Sequence, residues 1–203
     1  MDVKYLPQTA DETRRRYLFV AIDRATRWVF VAIKIDKTAA SARSFLKALH
    51  KACPIEIAKL LTDSGKEFTV RRFASREREF NGENEFDRLC KDLGIEHHLT
   101  RPRPPKTNGM VERFNGRISD VLNTHRLNSS LNLEQTLLRY VAPYNHQLLQ
   151  SALKSKTPLQ TIKNGHVSNP ELFHRRPYDR SGRSTPNPSA GCRRRPYRCT
   201  GGQ

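Results

Sequence analysis

Acidic side chains are scarce in this chain of 203 residues, which has 20 Asp and Glu against 37 Lys and Arg and a formal net charge of +17. An excess of one sign this large repels itself, so it does not serve folding. It is typical of proteins that bind a polyanion, because each neutralised phosphate releases counterions. The composition therefore predicts nucleic acid as a partner.

Cysteines and long apolar runs are also few. The four cysteines are Cys53, Cys90, Cys192 and Cys199, and their spacing matches neither a zinc site nor a disulfide framework, which favours a reducing compartment. No apolar run approaches the ~18 residues that a membrane-spanning helix needs. The first residues, 1–4, lead directly into a strand pattern without a signal peptide. We therefore expect a cytoplasmic protein with no membrane partner.

Hydrophobic residues make up 36% of the chain, which is low for a fully packed domain and predicts that part of the length is not packed. From residue 164 onward Pro, Gly, Ser and Arg dominate, as in disordered segments. We expect a folded core over 1–127, a helical extension of that core over 128–163 and a disordered basic tail over 164–203. The arginine-rich stretch 192–199 is either a DNA-binding tail or the product of a shifted reading frame.

Apolar β-prone runs and helical periodicities alternate along the first part of the chain. Strands are predicted at 3–7, 17–22, 28–33, 55–61 and 95–99, and helices at 38–53, 86–93, 109–124 and 131–148. Residues 69–84 are charged and irregular, which indicates a surface insertion. Three early strands with short connections favour antiparallel pairing, whereas a strand that follows a helix crossover favours parallel pairing. The pattern predicts an α/β fold with a five-stranded mixed sheet flanked by helices.

Carboxylates stand at two informative positions. In the stretch 60–68, Asp63 ends an apolar strand before a Gly turn, and in the stretch 104–115, Glu112 lies on the opening turn of a helix after a loop rich in Pro, Lys and Asn. If the first and fourth strands are neighbours, Asp2 lies beside Asp63. Three hard oxygen donors around one cleft suit Mg²⁺ or Mn²⁺. Two such ions ~3.5–4 Å apart would stabilise both the attacking and the leaving oxygen of a phosphoryl transfer.

Each carboxylate also has a simpler explanation. Asp63 could accept a hydrogen bond from the backbone at Gly65, as aspartates in turns commonly do. Glu112 could be favoured in a first helical turn by the helix dipole alone. Neither explanation accounts for the basic loop before Glu112, so one shared site is the stronger interpretation.

Four stretches together resemble the catalytic core of a bacterial insertion-sequence transposase of the retroviral-integrase type. They are 2–6, 17–27, 62–68 and 106–116, and shorter similarities follow at 144–146 and 157–158. The likeness covers roughly residues 2–173. It implies a ribonuclease H-like fold, an Asp-Asp-Glu metal site with two Mg²⁺ or Mn²⁺ ions, and DNA strand cleavage and strand transfer in DNA integration. It also implies that the partners are the element ends and target DNA, with a homo-oligomer assembled on them.

The resemblance implies that Asp2, Asp63 and Glu112 are the catalytic metal ligands. Asp23 is an alternative for the first ligand, because it is also acidic and also near a strand end, but it falls in a hairpin turn that points away from the site in the resembling family. Members of that family carry a helix-turn-helix region before the first aspartate. In this chain Asp2 follows the initiator Met, so we expect an N-terminally truncated form whose first ligand lies at a fraying strand end.

Six polar or basic residues near the predicted cleft are candidates for DNA contacts: Lys66, Lys106, Asn108, Arg113, Asn115 and Arg117. Arg113 and Arg117 are one helical turn apart and could grip successive phosphates, or they could belong to a solvated helix face. His97 and His98 lie on one strand and point to opposite faces, so they cannot ligate one ion together. We interpret both as structural.

Two other functions remain open. A metal-dependent nuclease of the same fold would use water as its only nucleophile. A remnant of a mobile element would bind DNA without turnover, because a catalytic carboxylate must be held within ~0.5 Å of its productive position.

Overall fold

The computed structural model describes residues 1–69, 84–100, 109–125 and 127–177. The strands are β1 (Asp2–Tyr5), β2 (Tyr17–Ile22), β3 (Val29–Lys34), β4 (Lys59–Thr62) and β5 (Glu96–Leu99). The helices are α1 (Ala39–Ala52), α2 (Glu85–Asp92), α3 (Gly109–Thr124), α4 (Ser130–His146) and α5 (Pro158–Ser168), with short 3₁₀ turns at Ser151–Leu153 and Pro170–Leu172. Within these ranges no helix is both long and apolar enough to cross a bilayer.

The five strands form an antiparallel part and a parallel part. β2 pairs with β1 on one side and with β3 on the other, both antiparallel, and β4 pairs with β5 in parallel. The amino group of Met1 donates to Leu61 O at 2.7 Å, which joins β1 to β4. The predicted combination of antiparallel and parallel pairing is confirmed, and the first and fourth strands are neighbours. The described ladders, however, form a three-stranded sheet and a two-stranded sheet instead of the predicted single sheet of five strands.

Strand β2 is covered on both faces, as its continuous apolar run predicts. Leu18 and Val20 pack with α3 and α4, whereas Phe19 and Ala21 pack with α1 and α2. None of these four side chains is more than 7% exposed. Alternate residues of one central strand therefore supply both cores and fix which helices lie on which face.

Helix α4 is attached to the edge of β3 by one buried side chain. Asn145 Nδ2 donates to Val29 O at 2.8 Å, and Asn145 Oδ1 accepts from Val29 N at 2.9 Å. The amide thus provides the donor and the acceptor that a further strand would offer at this position. Helix α4 begins with a Ser129 cap on Asn132 N.

The fourth strand is shorter than predicted. Residues 55–58 do not belong to β4, because Ile55 instead forms an antiparallel bridge with Phe173 and Glu56 N donates to Leu172 O at 2.9 Å. The apolar run is therefore shared between the sheet and the C-terminal segment, a long-range pairing that local pattern does not reveal.

The predicted start of a disordered tail at residue 164 is wrong for residues 164–177. Helix α5 continues to Ser168, and its start is fixed by a capping box between Thr157 and Gln160. Beyond it, Phe173 packs edge-on against His166 with the ring centroids 5.1 Å apart. Residues 178–203, and residues 70–83 of the insertion predicted over 69–84, lie outside the described residues.

Candidate functional site

Helix α3 lies along β1 and is joined to it by two hydrogen bonds. Asn115 Nδ2 donates to Asp2 Oδ2 at 2.8 Å, and Lys4 Nζ donates to Ser119 Oγ at 2.7 Å. Residues two apart in a strand are ~6.7 Å apart and residues four apart in a helix rise ~6 Å, so the two spacings match. Asp2 and Lys4 therefore share the face of β1 toward α3, with Asp2 at the end nearest the start of that helix.

Asp63 follows β4 at the point where that strand lies beside β1. Its Oδ1 accepts from Gly65 N at 3.3 Å. Burial, and next the charge of Asp2, raise the pKa of the Asp63 carboxyl, while the Gly65 bond, Lys37 and the Met1 amino group act in the opposite direction. The structure thus brings Asp2 and Asp63 together, and the charge of Asp2 opposes the ionisation of Asp63.

Glu112 lies on the first turn of α3 and is exposed. Among the described residues no three His, Cys, Asp or Glu side chains come together as a metal-binding group, so Glu112 is not joined to Asp2 and Asp63. It is three residues before Asn115, however, and helical residues three apart lie on the same face. Asn115 Oδ1 is buried without a hydrogen-bond partner, which leaves an amide oxygen with unused lone pairs beside Asp2.

A third carboxylate near Asp63 was missed by the sequence interpretation. Glu67 is 3% exposed, and its Oε1 lies 3.0 Å from Lys37 Nζ. Burial alone would lower the pKa of Lys37, but the hydrogen bond and the charge of Glu67, with a smaller contribution from Asp63, raise it overall. The sequence did contain a signal for Glu67, because an acidic residue four positions after Asp63, just beyond Gly65, belongs to the same turn.

Asp87, His97 and Thr62 form a buried chain of hydrogen-bonded side chains next to Asp63, which we call the polar chain. The sequence interpretation missed it as well. His97 Nδ1 lies 2.5 Å from Asp87 Oδ1, and His97 Nε2 lies 2.8 Å from Thr62 Oγ1. His98 instead pairs at the surface with Glu96, its Nε2 lying 2.9 Å from Glu96 Oε1. The prediction that the two histidines face opposite sides is confirmed.

The candidate DNA contacts have different environments. Lys66 and Arg113 are exposed, whereas Asn115 is hydrogen-bonded to Asp2. Arg117 is half-buried and lies beside Tyr140 of α4. Burial raises the pKa of the Tyr140 phenol, and the charge of Arg117 and its hydrogen bond act in the opposite direction. Arg113 and Arg117 thus do not form one exposed stripe. Lys106 and Asn108 lie outside the described residues.

Asp23 is a turn residue, as its position between β2 and β3 predicts. Its Oδ2 accepts from Thr26 N at 2.9 Å and from Thr26 Oγ1 at 2.5 Å. Burial raises the pKa of the Cys53 thiol to about 11, and the charge of Asp23 adds to that effect. Asp23 therefore lies near the end of α1 that carries Cys53, apart from the Asp2–Asp63 pair.

Two curated proteins resemble this chain in sequence. "Putative integrase ORF3" of Spiroplasma virus SpV1-C74 is 23% identical over 168 residues, which are 80% of this chain and 46% of that protein. The retrovirus-related Pol polyprotein from transposon TNT 1-94 of Nicotiana tabacum is 29% identical over 102 residues, 49% of this chain and 7% of that protein. The chain thus spans less than half the length of these relatives.

The structure resembles retroviral integrase catalytic cores. It aligns with the dimeric form of the HTLV-2 integrase catalytic core domain, solved in complex with magnesium, at a TM-score of 0.56 and 21% identity, over 79% of this chain and 92% of that one. The predicted ribonuclease H-like fold is confirmed. Two models of the integrase core domain match residues 1–105 and 93–158. The chain therefore belongs to the integrase core domain family.

Proposed function

We propose that this chain is the catalytic core of a bacterial insertion-sequence transposase, an Asp-Asp-Glu polynucleotidyl transferase that cleaves and joins DNA strands. The observation that carries the proposal is the pair of adjacent carboxylates, Asp2 and Asp63, delivered from neighbouring strands beside the first turns of α3. The charge of Asp2 opposes the ionisation of Asp63, and a divalent cation between the two carboxylates would remove that repulsion.

Asp2, Asp63 and Glu112 are the proposed ligands of two Mg²⁺ or Mn²⁺ ions, whose preferred donors are hard oxygens. When bound, the ions would supply charge stabilisation at the attacking and leaving oxygens. Asn115 has a different role from the predicted DNA contact: its amide holds Asp2 in place. Glu112 would join from the exposed first turn of α3, one turn before Asn115.

In the proposed reaction, the oxygen of water or of a DNA 3′-hydroxyl attacks a backbone phosphorus atom and gives up its proton to solvent. The bond from phosphorus to the bridging 3′ oxygen breaks, and this leaving 3′ oxygen takes up a proton from solvent. The protein needs no nucleophile of its own, which agrees with a site built from carboxylates and amides. Exposed Lys66, three residues after Asp63, and Arg113, next to Glu112, would contact the flanking phosphates. Lys106 and Asn108, from the sequence before α3, are proposed as further contacts.

The DNA partners proposed are element ends and target DNA, which in a bacterial cell would place the protein in the cytoplasm. Homo-oligomerisation on DNA is part of the proposal. It is supported by the dimeric and trimeric forms in which the HTLV-2 core domain has been solved. The net charge of +17 supports a polyanionic substrate independently of any relative.

The test is Mg²⁺-dependent nicking and joining of a labelled duplex by Asp2→Asn, Asp63→Asn and Glu112→Gln variants. We expect each to lose both activities while DNA binding is retained, because neutral amides are close in shape but poor partners for a dication. Asp23→Asn is the matched control and should retain activity, since that side chain serves a turn. Retained cleavage by any of the first three variants removes that residue from the site, and nicks without joined products would indicate a nuclease.

A further inference from the structure

The polar chain behind Asp63 is enclosed by the protein. The side chains of His97 and Asp87 are 6% and 11% exposed, and Thr62 is 1% exposed. Phe86 packs edge-on against the imidazole of His97 with ring centroids 5.2 Å apart. Burying polar groups costs free energy unless all are hydrogen-bonded, and here the two nitrogens of His97 each have a partner.

The hydrogen-bonded side chains of Asp87, His97 and Thr62 connect three elements at one point. Asp87 belongs to α2 and His97 to β5, and Thr62 is the last residue of β4. Thr62 also ends the parallel ladder, since its carbonyl oxygen accepts from Thr100 N at 2.8 Å. These three side chains therefore fix the place where β4 ends and the turn that carries Asp63 begins.

The hydroxyl of Thr62 reaches the backbone of Asp63 itself. Thr62 Oγ1 lies 3.1 Å from Asp63 O as well as 2.8 Å from His97 Nε2. A hydroxyl has one hydrogen, so Thr62 donates it either to Asp63 O, which goes with an Nε2–H on His97, or to an Nε2 that carries no hydrogen. The carboxylate of Asp87, which can only accept, receives Nδ1–H on the other side of the ring.

We propose that Asp87, His97 and Thr62 are positioning residues that hold the backbone of Asp63 for metal binding. The inference rests on the proposed function of Asp63 as a metal ligand. It assigns these residues no contact with DNA or with the reacting atoms. A histidine that merely filled the core would not require a threonine hydroxyl bonded to the carbonyl of the candidate ligand.

The test uses Mn²⁺ binding to the 203-residue chain without DNA, measured by the loss of the free-ion electron paramagnetic resonance signal. Thr62→Val keeps the shape of Thr62 and removes the hydroxyl, whereas Thr62→Ser keeps the hydroxyl. We expect Thr62→Val to raise the Mn²⁺ dissociation constant at least about 10-fold, the usual effect of losing support behind a metal ligand. Thr62→Ser should stay close to the parent.

Two further variants separate positioning from general stability. Asn145→Ala removes the buried amide between α4 and β3, so it should lower the melting temperature without weakening Mn²⁺ binding. Thr62→Ala removes the hydroxyl without adding an atom and replaces Thr62→Val if circular dichroism shows the latter unfolded, with the same expected rise. A hydroxyl-free variant that binds Mn²⁺ as the parent does, or equal weakening by Asn145→Ala, overturns the inference.

The proposed function fails in a different way. Asp63→Asn should abolish the high-affinity Mn²⁺ binding of the parent. If it has no effect, or the parent binds none, the metal site is wrong and the positioning inference falls with it. If Asp63→Asn abolishes binding and Thr62→Val leaves it intact, the metal site stands and the positioning inference alone is wrong.

Discussion

At the scale of single residues, the ionisation of Asp63 would link the proposed metal binding to folding. Burial and the nearby charge of Asp2 raise the pKa of Asp63 above its ordinary value, so the folded chain holds this proton more tightly than the unfolded chain does. The stability contributed by this group is present below the unfolded carboxyl pKa and is lost as the pH rises through the folded value. At neutral pH, ionised Asp63 therefore opposes folding until a cation is shared with Asp2.

The Asp63→Asn variant should therefore melt at a higher temperature than the parent at pH 7 in buffer free of divalent ions. The difference should shrink as the pH falls through the raised carboxyl pKa, because the parent then becomes neutral at this position. Mn²⁺ should raise the melting temperature of the parent and not that of the variant. Thermal unfolding followed by circular dichroism measures all three effects.

Asp23→Asn is the comparison for this experiment. The Asp23 side chain accepts three hydrogen bonds within its turn, so its substitution should give no gain at pH 7. A lower melting temperature for metal-free Asp63→Asn than for the parent would contradict the assigned repulsion.

The sequence predicted some of these residues better than others. The adjacency of Asp2 and Asp63 followed from their positions at strand ends only on the condition that β1 lies beside β4, which the local pattern left open. Thr62, Asp87 and His97 could not be grouped in advance, because their contact depends on the β4–β5 register and on the rotation of α2. The hydrogen bond of Arg117 with Tyr140 likewise depends on how α3 packs against α4.

At the scale of elements, the turn after β4 depends on a close approach by glycine. A Cβ atom on Gly65 would lie 2.5 Å from Glu67 Oε1, closer than real Cβ contacts allow. The turn from Gly65 to Thr69 is closed by bonds from Phe68 N and Thr69 N to Gly65 O. Glycine thus lets the Glu67 carboxylate fold back over the turn toward Lys37.

Gly65→Ala should reduce the free energy of unfolding by about 1–3 kcal/mol, because Glu67 must move away from Lys37 and leave a buried charge without its partner. Gly116→Ala is the matched control on α3, where a Cβ has open space. That variant should gain up to about 1 kcal/mol from better helix propensity. Urea unfolding of both variants measures the difference, and effects of the same sign would contradict the close approach at Gly65.

Elements with strong local signals were predicted well, and those that depend on distant partners were not. The apolar run of β2 and the periodicity of α1, with Ala42, Phe45 and Leu49 buried, were sufficient to place both. Residues 55–58 looked like a strand, but the C-terminal segment at Phe173 takes that pairing. The boundary at residue 164 falls inside α5, whose later turns are polar and carry little hydrophobic signal.

At the scale of the whole molecule, the basic charge is spread over the described core and the residues beyond it. Residues 178–203 contain six Arg and one Asp, so they carry part of the net charge of +17. The described core retains exposed basic side chains such as Lys66 and Arg113 beside the candidate site. Sequence-independent DNA binding should therefore involve both parts of the chain.

The full chain should bind a random DNA duplex with an affinity that falls steeply with salt, and a chain ending at residue 177 should show a shallower dependence. Each phosphate neutralised contributes ~0.9 to the slope of log affinity against log salt, so loss of six arginines should reduce that slope measurably. Titrations by fluorescence anisotropy at several salt concentrations give both slopes. Equal slopes would show that the six arginines make no phosphate contacts, which favours a shifted reading frame over a DNA-binding tail. If the affinity of the full chain did not weaken with salt, the electrostatic argument for a nucleic-acid partner would be wrong.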